Sequence, residues 1–332
     1  MSEATERTGG TGSTGSTGSA GPHGEHAAGP HGEHAAGPRA RPTTEVPEPA
    51  AGFAGGRELA PAVPMLAVAV AVISMLVGAA MAAAGLAGER FGAWTSPEAL
   101  SPGLVGAAML GVTPGLLRIG RAQVWEEVRT LVVPLAVVLV GLFAVTLLNA
   151  GRLHAAQGGS VVLVLFSLGW VLVLGLLAVS ALACVGGQYL KPAQPTGERA
   201  APLPGWSKPF LAVLGSSWFG IGAGLLAVPG FWADFVPWSV NRPDAQALGV
   251  WALALGVGVL GSLAEDDLTR TRPALLAVPG VALALAVVLG VRAQDVDWAS
   301  GPGLSLLVMV AGLLVTGATG QRLLSRQPVS RA

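Results

Sequence analysis

The chain has 332 residues, of which 52% are hydrophobic and 11% charged, and its mean hydropathy is +0.62. A soluble domain carries about a quarter Asp, Glu, Lys and Arg, so this composition excludes a water-soluble enzyme. The balance of 19 Lys plus Arg against 19 Asp plus Glu leaves no basic excess for binding nucleic acid. The single cysteine, Cys184, excludes an intramolecular disulfide and a cysteine-based zinc site.

Residues 1–60 read as a disordered cytoplasmic tail. They open on a Gly/Thr/Ser run and repeat the octapeptide GPHGEHAA at 21–28 and 29–36, with too little apolar surface to offset the entropy of ordering. No apolar core of a secretory signal stands in the first thirty residues. His23, His26, His31 and His34 have the spacing to share a transition metal, but a floppy segment has no surrounding groups to orient them, and the plain reading is a linker. No metal or other cofactor is expected.

Eight stretches then meet the roughly 20-residue requirement for a transmembrane helix, at 62–86, 102–119, 131–149, 160–186, 209–229, 245–263, 274–291 and 303–320. The second is the weakest, interrupted by Pro114 and several glycines, with a re-entrant loop as its alternative. Ser96-Pro97-Glu98, Ser101-Pro102 and Asn241-Arg242-Pro243-Asp244 read as caps with proline in the first turn, so the second and sixth spans should start sharply. With eight spans, fifteen basic residues fall on the side of the termini, and only Arg90, Arg152, Arg242 and Arg292 fall opposite. The positive-inside rule then places both termini in the cytoplasm of a bacterial cell membrane. Trp94, Trp232, Trp238 and Trp298 in outer loops, with Trp125 and Trp206 in inner ones, are expected to form interfacial belts.

Shifts of 140 and 145 residues align Phe91 with Phe231, Pro97 with Pro237, Glu126-Glu127 with Asp266-Asp267, and Pro64 with Pro209. Two four-helix repeats are therefore expected, at 62–188 and 207–322, joined by a cytoplasmic linker at 189–206 and followed by a short tail at 323–332. Four crossings per unit make them parallel repeats, related by an axis along the membrane normal. The fold class expected is an all-α integral membrane protein. Small residues recur every four positions at Ser74/Gly78/Ala82, Gly103/Ala107/Gly111/Gly115, Ser216/Gly220/Gly224 and Ala254/Gly258/Ser262, stripes that let helices approach closely.

Pro237-Trp238, Gly249, Trp251, Asp266-Asp267 and Arg270, within 231–276, follow an order of an outer Pro-Trp segment, a Gly-x-Trp helix and an acidic-then-basic inner loop. In this the stretch resembles uncharacterised multi-pass membrane proteins of high-GC Gram-positive bacteria. The resemblance implies no activity.

No ionisable side chain stands near the middle of a span, which argues against proton-coupled antiport, voltage sensing and aspartyl intramembrane proteolysis. The acidic doublets are expected to cap the third and seventh helices beside Arg129, Arg270 and Arg272. His154 reads as a lone loop histidine, Cys184 as a packing residue, and Asp295 with Asp297 as a weak calcium cue. Trp232, Asp234, Trp238 and Arg242 form an amphipathic outer rim, either an anchor in the lipid interface or a mouth for a small ligand. Ser216, Ser217, Trp218 and Trp251, with Asn149 and Gln246, are the weakly polar intramembrane groups available to line a cleft. Two functions remain. One is a non-enzymatic membrane component (a scaffold, accessory subunit or lipid-facing structural protein). The other is a permease for an uncharged or amphiphilic solute, using a cleft between the repeats. The lipid bilayer is the partner implied by composition, with a protein partner or a small amphiphilic solute beside it.

Overall fold

A computed structural model describes residues 56–193 and 201–326, and all of these lie in one compact unit, Phe53–Ala332. Among the described residues the regular structure is helical. Eight helices are long and apolar enough to cross a membrane: α1 (Ala62–Ala87), α2 (Leu100–Ile119), α3 (Arg129–Leu148), α4 (Val161–Leu190), α5 (Ser207–Ala227), α6 (Arg242–Glu265), α7 (Arg272–Val291) and α8 (Gly301–Ser325). Each expected span is present. Most extend a turn or less beyond the apolar run, since a polar helix end loses nothing by facing water. The histidine-bearing octapeptides fall outside the described residues.

The second span, the weakest in sequence, is an unbroken helix and the most enclosed of the eight. Its mean hydropathy is 1.5, yet 83% of its apolar stretch is buried, against 28% for α4 with a hydropathy of 2.8. A helix wrapped by other helices does not need an oily surface, so low hydropathy here marks a central position and not a loop. Pro114 lies on an exposed part of the helix, which runs on past it to Ile119. The hydroxyl of Thr113 donates to the Met109 carbonyl one turn back (3.3 Å).

Consecutive helices pack as pairs, α1 on α2, α3 on α4, α5 on α6 and α7 on α8. Two further seams, α2 on α7 and α3 on α6, interlock the first four helices with the last four. Glycine brings helices close both within the pairs and across the seams. A Cβ added at Gly78 would stand 2.9 Å from the Gly106 carbonyl, and one at Gly111 would stand 2.6 Å from the Gly280 carbonyl and the Val281 amide. Gly115 lies against Ala277 and the Pro273 carbonyl in the same seam. On α5 the stripe expected at Ser216/Gly220/Gly224 is displaced. Gly220 meets nothing, Ser216 is exposed, and the contact with α6 runs through Gly215 and Gly222 against Leu260, Gly249 and Leu253. A seven-residue spacing keeps one face across two turns as well as a four-residue one does, and spacing alone does not choose between them. On α6 Gly258 faces Pro134 of α3, so that stripe serves a different seam from the one at Gly249 and Gly256.

The hydrogen bonds sort the loops into two ends. At the arginine-rich end, Gly56–Ala60 forms a strap ahead of α1. Leu59 N–H donates to the Gln123 carbonyl, Trp125 N–H donates to the Arg57 carbonyl, and Gln188 of α4 joins Glu58 and Ala60 through both ends of its amide. Residues 56–60, placed in the tail by the sequence, thus pack on the bundle, because their backbone groups find partners in the α2–α3 loop and in α4. A second strap ahead of α5 does the same, with Leu268 N–H donating to the Ala201 carbonyl. At the tryptophan-rich end, His154 N–H donates to the Ala93 carbonyl and Asp297 N–H to the Pro237 carbonyl.

Two tryptophans assigned to interfacial belts are interior residues. Trp125 is wholly buried and meets Tyr189 edge-on at 5.8 Å, with the Arg57 guanidinium over that tyrosine ring. Trp94 is buried beside Trp170. Their loops fold back over the helix ends, whereas Trp206 stays exposed as expected.

Candidate functional site

The acidic doublets act on the straps, not on the helices that follow them. Glu126 accepts from the Arg57 backbone N–H at 2.9 Å, with the Arg57 guanidinium 4.0 Å away. Asp266 accepts from Leu203 N–H at 3.2 Å and pairs with Lys208 at 2.8 Å. Asp267 accepts from the amide and hydroxyl of Thr269 and lies 3.6 Å from Arg270. Arg129 pairs with Glu265 across the α3–α6 seam, not with its own doublet. A carboxylate near a helix start also lies near whatever segment passes over that start, and the buried straps here offer the closer donors.

The rim at the tryptophan-rich end is a hydrogen-bonded lid. Asp244 is buried and its Oδ1 accepts from Trp94 Nε1 and Ser96 Oγ, both at 2.8 Å. Asn241 caps α6 as its motif indicates, its side chain accepting from Asp244 N–H at 3.0 Å. It also donates to the Thr95 carbonyl. Ser96, by contrast, does not cap α2, whose first residue is Leu100. Trp238 donates to Ser101 Oγ at 2.9 Å. Trp232 packs over Gly224, and Phe231, Trp232 and Phe235 form a ring cluster with centroids 5.4–6.1 Å apart. Asp234 and Arg242 are exposed around it.

Beneath this lid lies a cavity of about 460 Å³, bounded by α5, α6, α7, α8 and one face of α2. Its walls include Trp218, Ile221, Leu255, Leu289, Leu306 and Met309, its roof includes Trp232, Phe235 and Trp238, and no ionisable side chain lines it. That volume falls within the roughly 300–1,000 Å³ of small-molecule sites, whose walls are mainly apolar with a few polar groups. The polar side chains in its lining are Ser305 and the tryptophans, among them Trp218 and Trp251. These two are over nine-tenths buried, and neither indole nitrogen has an acceptor. A buried unpaired donor costs about 1–3 kcal/mol, and neither nitrogen is open to the hollow as the side chains stand.

The expected intramembrane polar set is therefore divided. Trp218 and Trp251 meet at this cavity, Ser216 is exposed, and Ser217 is half-buried away from the cavity walls. Asn149 and Gln246 bond one another at 2.8 Å across the α3–α6 seam. The seams themselves are closed by glycine contacts. A smaller cavity of about 270 Å³ lies among α1, α2, α3 and α4, and Trp251 lines this one as well. Ser74, in the single π-helical turn of α1, also borders it.

Elsewhere, His154 is buried with an unpartnered Nε2, and Cys184 is a half-buried free thiol. Asp295 is held by the Arg292 guanidinium at 2.6 Å. Asp297 accepts from Ala299 N–H. Among the described residues no group of three His, Cys, Asp or Glu side chains is placed to hold a metal.

Fold and site together describe an all-helical bundle of eight membrane-length helices holding an apolar, lidded cavity. Comparison with family models, curated proteins and solved structures finds no match.

Proposed function

We propose that this is a non-enzymatic membrane component that holds one apolar chain, or an uncharged amphiphile, under the tryptophan lid. The observation carrying this reading is the cavity itself: about 460 Å³, walled almost wholly by apolar side chains and free of ionisable groups. Such walls suit an alkyl or polyprenyl body, with the Ser305 hydroxyl available to one oxygen atom.

The architecture proposed with it is a duplicated four-helix unit, with the arginine-rich end facing the cytoplasm and the chain residing in a bacterial cell membrane. Recurring contacts support the duplication. Gly115 of α2 packs on Ala277 and the Pro273 carbonyl of α7, and 143 positions later Gly258 of α6 packs on Pro134 and nears the Thr130 carbonyl of α3. Ala277 and Pro273 lie the same 143 positions beyond Pro134 and Thr130, so one contact recurs with its partners exchanged. The strap bond from Trp125 to Arg57 recurs from Leu268 to Ala201, and the lid bond from His154 to Ala93 recurs from Asp297 to Pro237, at offsets of 143 and 144. These exchanges are what a two-fold axis along the bundle, relating α2 to α6 and α3 to α7, would produce. The excess of arginine and lysine at the strap end supports the cytoplasmic assignment.

A permease is the second reading, favoured by one observation. Trp251 borders both cavities, which makes its indole the candidate gate between them. Both readings meet one test. Protein purified in mild detergent is extracted with organic solvent, and the extract is analysed by mass spectrometry. The wild type should release about one apolar molecule per chain, and the cavity-filling pair Ala108→Phe with Ala252→Phe should release none while eluting as a folded species. Equal recovery from both, or recovery from neither, defeats the holding function. Flux of that molecule between proteoliposomes, abolished by the same pair, would select the permease.

A further inference from the structure

At the arginine-rich end, well away from the lid, a third cavity of about 600 Å³ opens between the end of α2, the start of α7 and the end of α8. Arg118, Arg121 and Arg272 line it, with Thr269, Gln321 and Ser325 as further polar groups. Glu127 is the one acidic side chain in the lining, and its Oε2 accepts from Gln123 N–H. None of the three arginines has a carboxylate at ion-pair distance among the described residues. Three guanidinium groups left without internal counterions around one hollow are an electropositive site in search of an anion.

The other seam explains why a partner is missing here. At α3–α6, Arg129 is matched by Glu265. Arg272 lies 143 positions after Arg129, in the same place at the start of α7, whereas the position 143 before Glu265 is Ala122, which lines the cavity. The seam that keeps its carboxylate is closed by an internal ion pair. The seam that lacks it holds a cavity and three unmatched arginines.

We infer that this cavity binds the phosphate of an anionic phospholipid headgroup. The site lies at the ends of membrane-length helices, the level at which a bilayer places its phosphates. Arginine offers the forked donors that phosphate oxygens accept. Leu275, Leu276 and Leu324 line the same hollow and suit the glycerol and first methylenes beside the phosphate. Basic hollows between transmembrane helices on the cytoplasmic side are where such headgroups bind.

The test is native mass spectrometry of the delipidated full chain titrated with phosphatidylglycerol, phosphatidylcholine or inorganic phosphate. Phosphatidylglycerol should bind at least about tenfold more tightly than phosphatidylcholine, and the preference should fall to within about twofold in the triple variant Arg118→Gln/Arg121→Gln/Arg272→Gln. Ala122→Glu restores the counterpart carboxylate without removing any arginine. It should weaken phosphatidylglycerol binding severalfold where Ala122→Gln does not, which keeps the test decisive if the triple variant fails to fold. Equal binding of the two lipids, or a preference unmoved by these substitutions, overturns the inference. Saturation by submillimolar inorganic phosphate with the same arginine dependence also overturns it, assigning the site to a soluble phosphate compound.

Discussion

Asp244 shows how a single buried carboxylate organises the lid. Its Oδ1 holds both the Trp94 indole and the Ser96 hydroxyl, from a loop some 150 positions away, while its own N–H goes to Asn241. Asp244→Ala would leave two buried donors without an acceptor, at about 1–3 kcal/mol for each unsatisfied group. The apparent melting temperature in detergent, read by fluorescence-detected size exclusion, is expected to fall by several degrees. Asp244→Asn keeps one acceptor and should fall less. A melting temperature unchanged in Asp244→Ala would show that the lid contributes nothing to stability. The local half of this arrangement was legible in the sequence, because an Asn followed by Pro and Asp is a cap signal within four residues. The Trp94 partnership was not, since nothing in either segment records the other. The same limit hid the strap role of Glu126 and Asp266, whose donors come from chain that merely passes over them.

At the scale of helices, apolar length was enough to find every span, while packing order depended on what each span lacks. The shortness, Pro114 and glycines of α2 left a re-entrant loop as the alternative to a span, yet its low hydropathy reflects a helix sealed by neighbours on most sides. Its glycines are divided between two partners, Gly106 toward α1 and Gly111 with Gly115 toward α7. A four-residue pattern shows that some close approach occurs and leaves the partner open. The contrast can be tested with two matched substitutions. Gly111→Ala drives a methyl into the backbone of Gly280 and Val281, where no rotamer change gives relief, and overpacking of this kind costs about 1–3 kcal/mol. Gly169→Ala on α4 meets nothing within 4 Å and, in a helix interior, should be neutral or gain up to about 1 kcal/mol. Thermal denaturation of both variants in the same detergent should separate them clearly. Equal melting temperatures would mean that the α2–α7 seam relaxes and is not the tight contact described above.

For the molecule as a whole, identical residues suggested duplication at offsets of 140 and 145, and the recurring contacts lie between them at 143 and 144. Loops of unequal length shift chance identities to either side, while helix–helix contacts keep their register. The proposed orientation predicts the outcome of cysteine labelling in a Cys184→Ala background. Arg326→Cys should resist a membrane-impermeant thiol reagent in intact cells, and Asp234→Cys should react; the opposite pattern would invert the topology. The exchange of partners between the halves also sets a timetable for biogenesis. At roughly 5–20 residues per second, the ribosome needs on the order of ten to thirty seconds to deliver α7 after α2. In the membrane arrangement proposed above, α2, the least oily helix of the set, waits through that interval with Gly111 and Gly115 uncovered. A chain stopped after Asp266 contains six complete helices yet should be cleared by membrane proteases faster than the full chain in a pulse-chase experiment. Equal half-lives would show that α2 does not depend on α7. On this account quality control has a natural checkpoint late in synthesis, because a newborn chain offers no finished surface for its second helix until the seventh arrives.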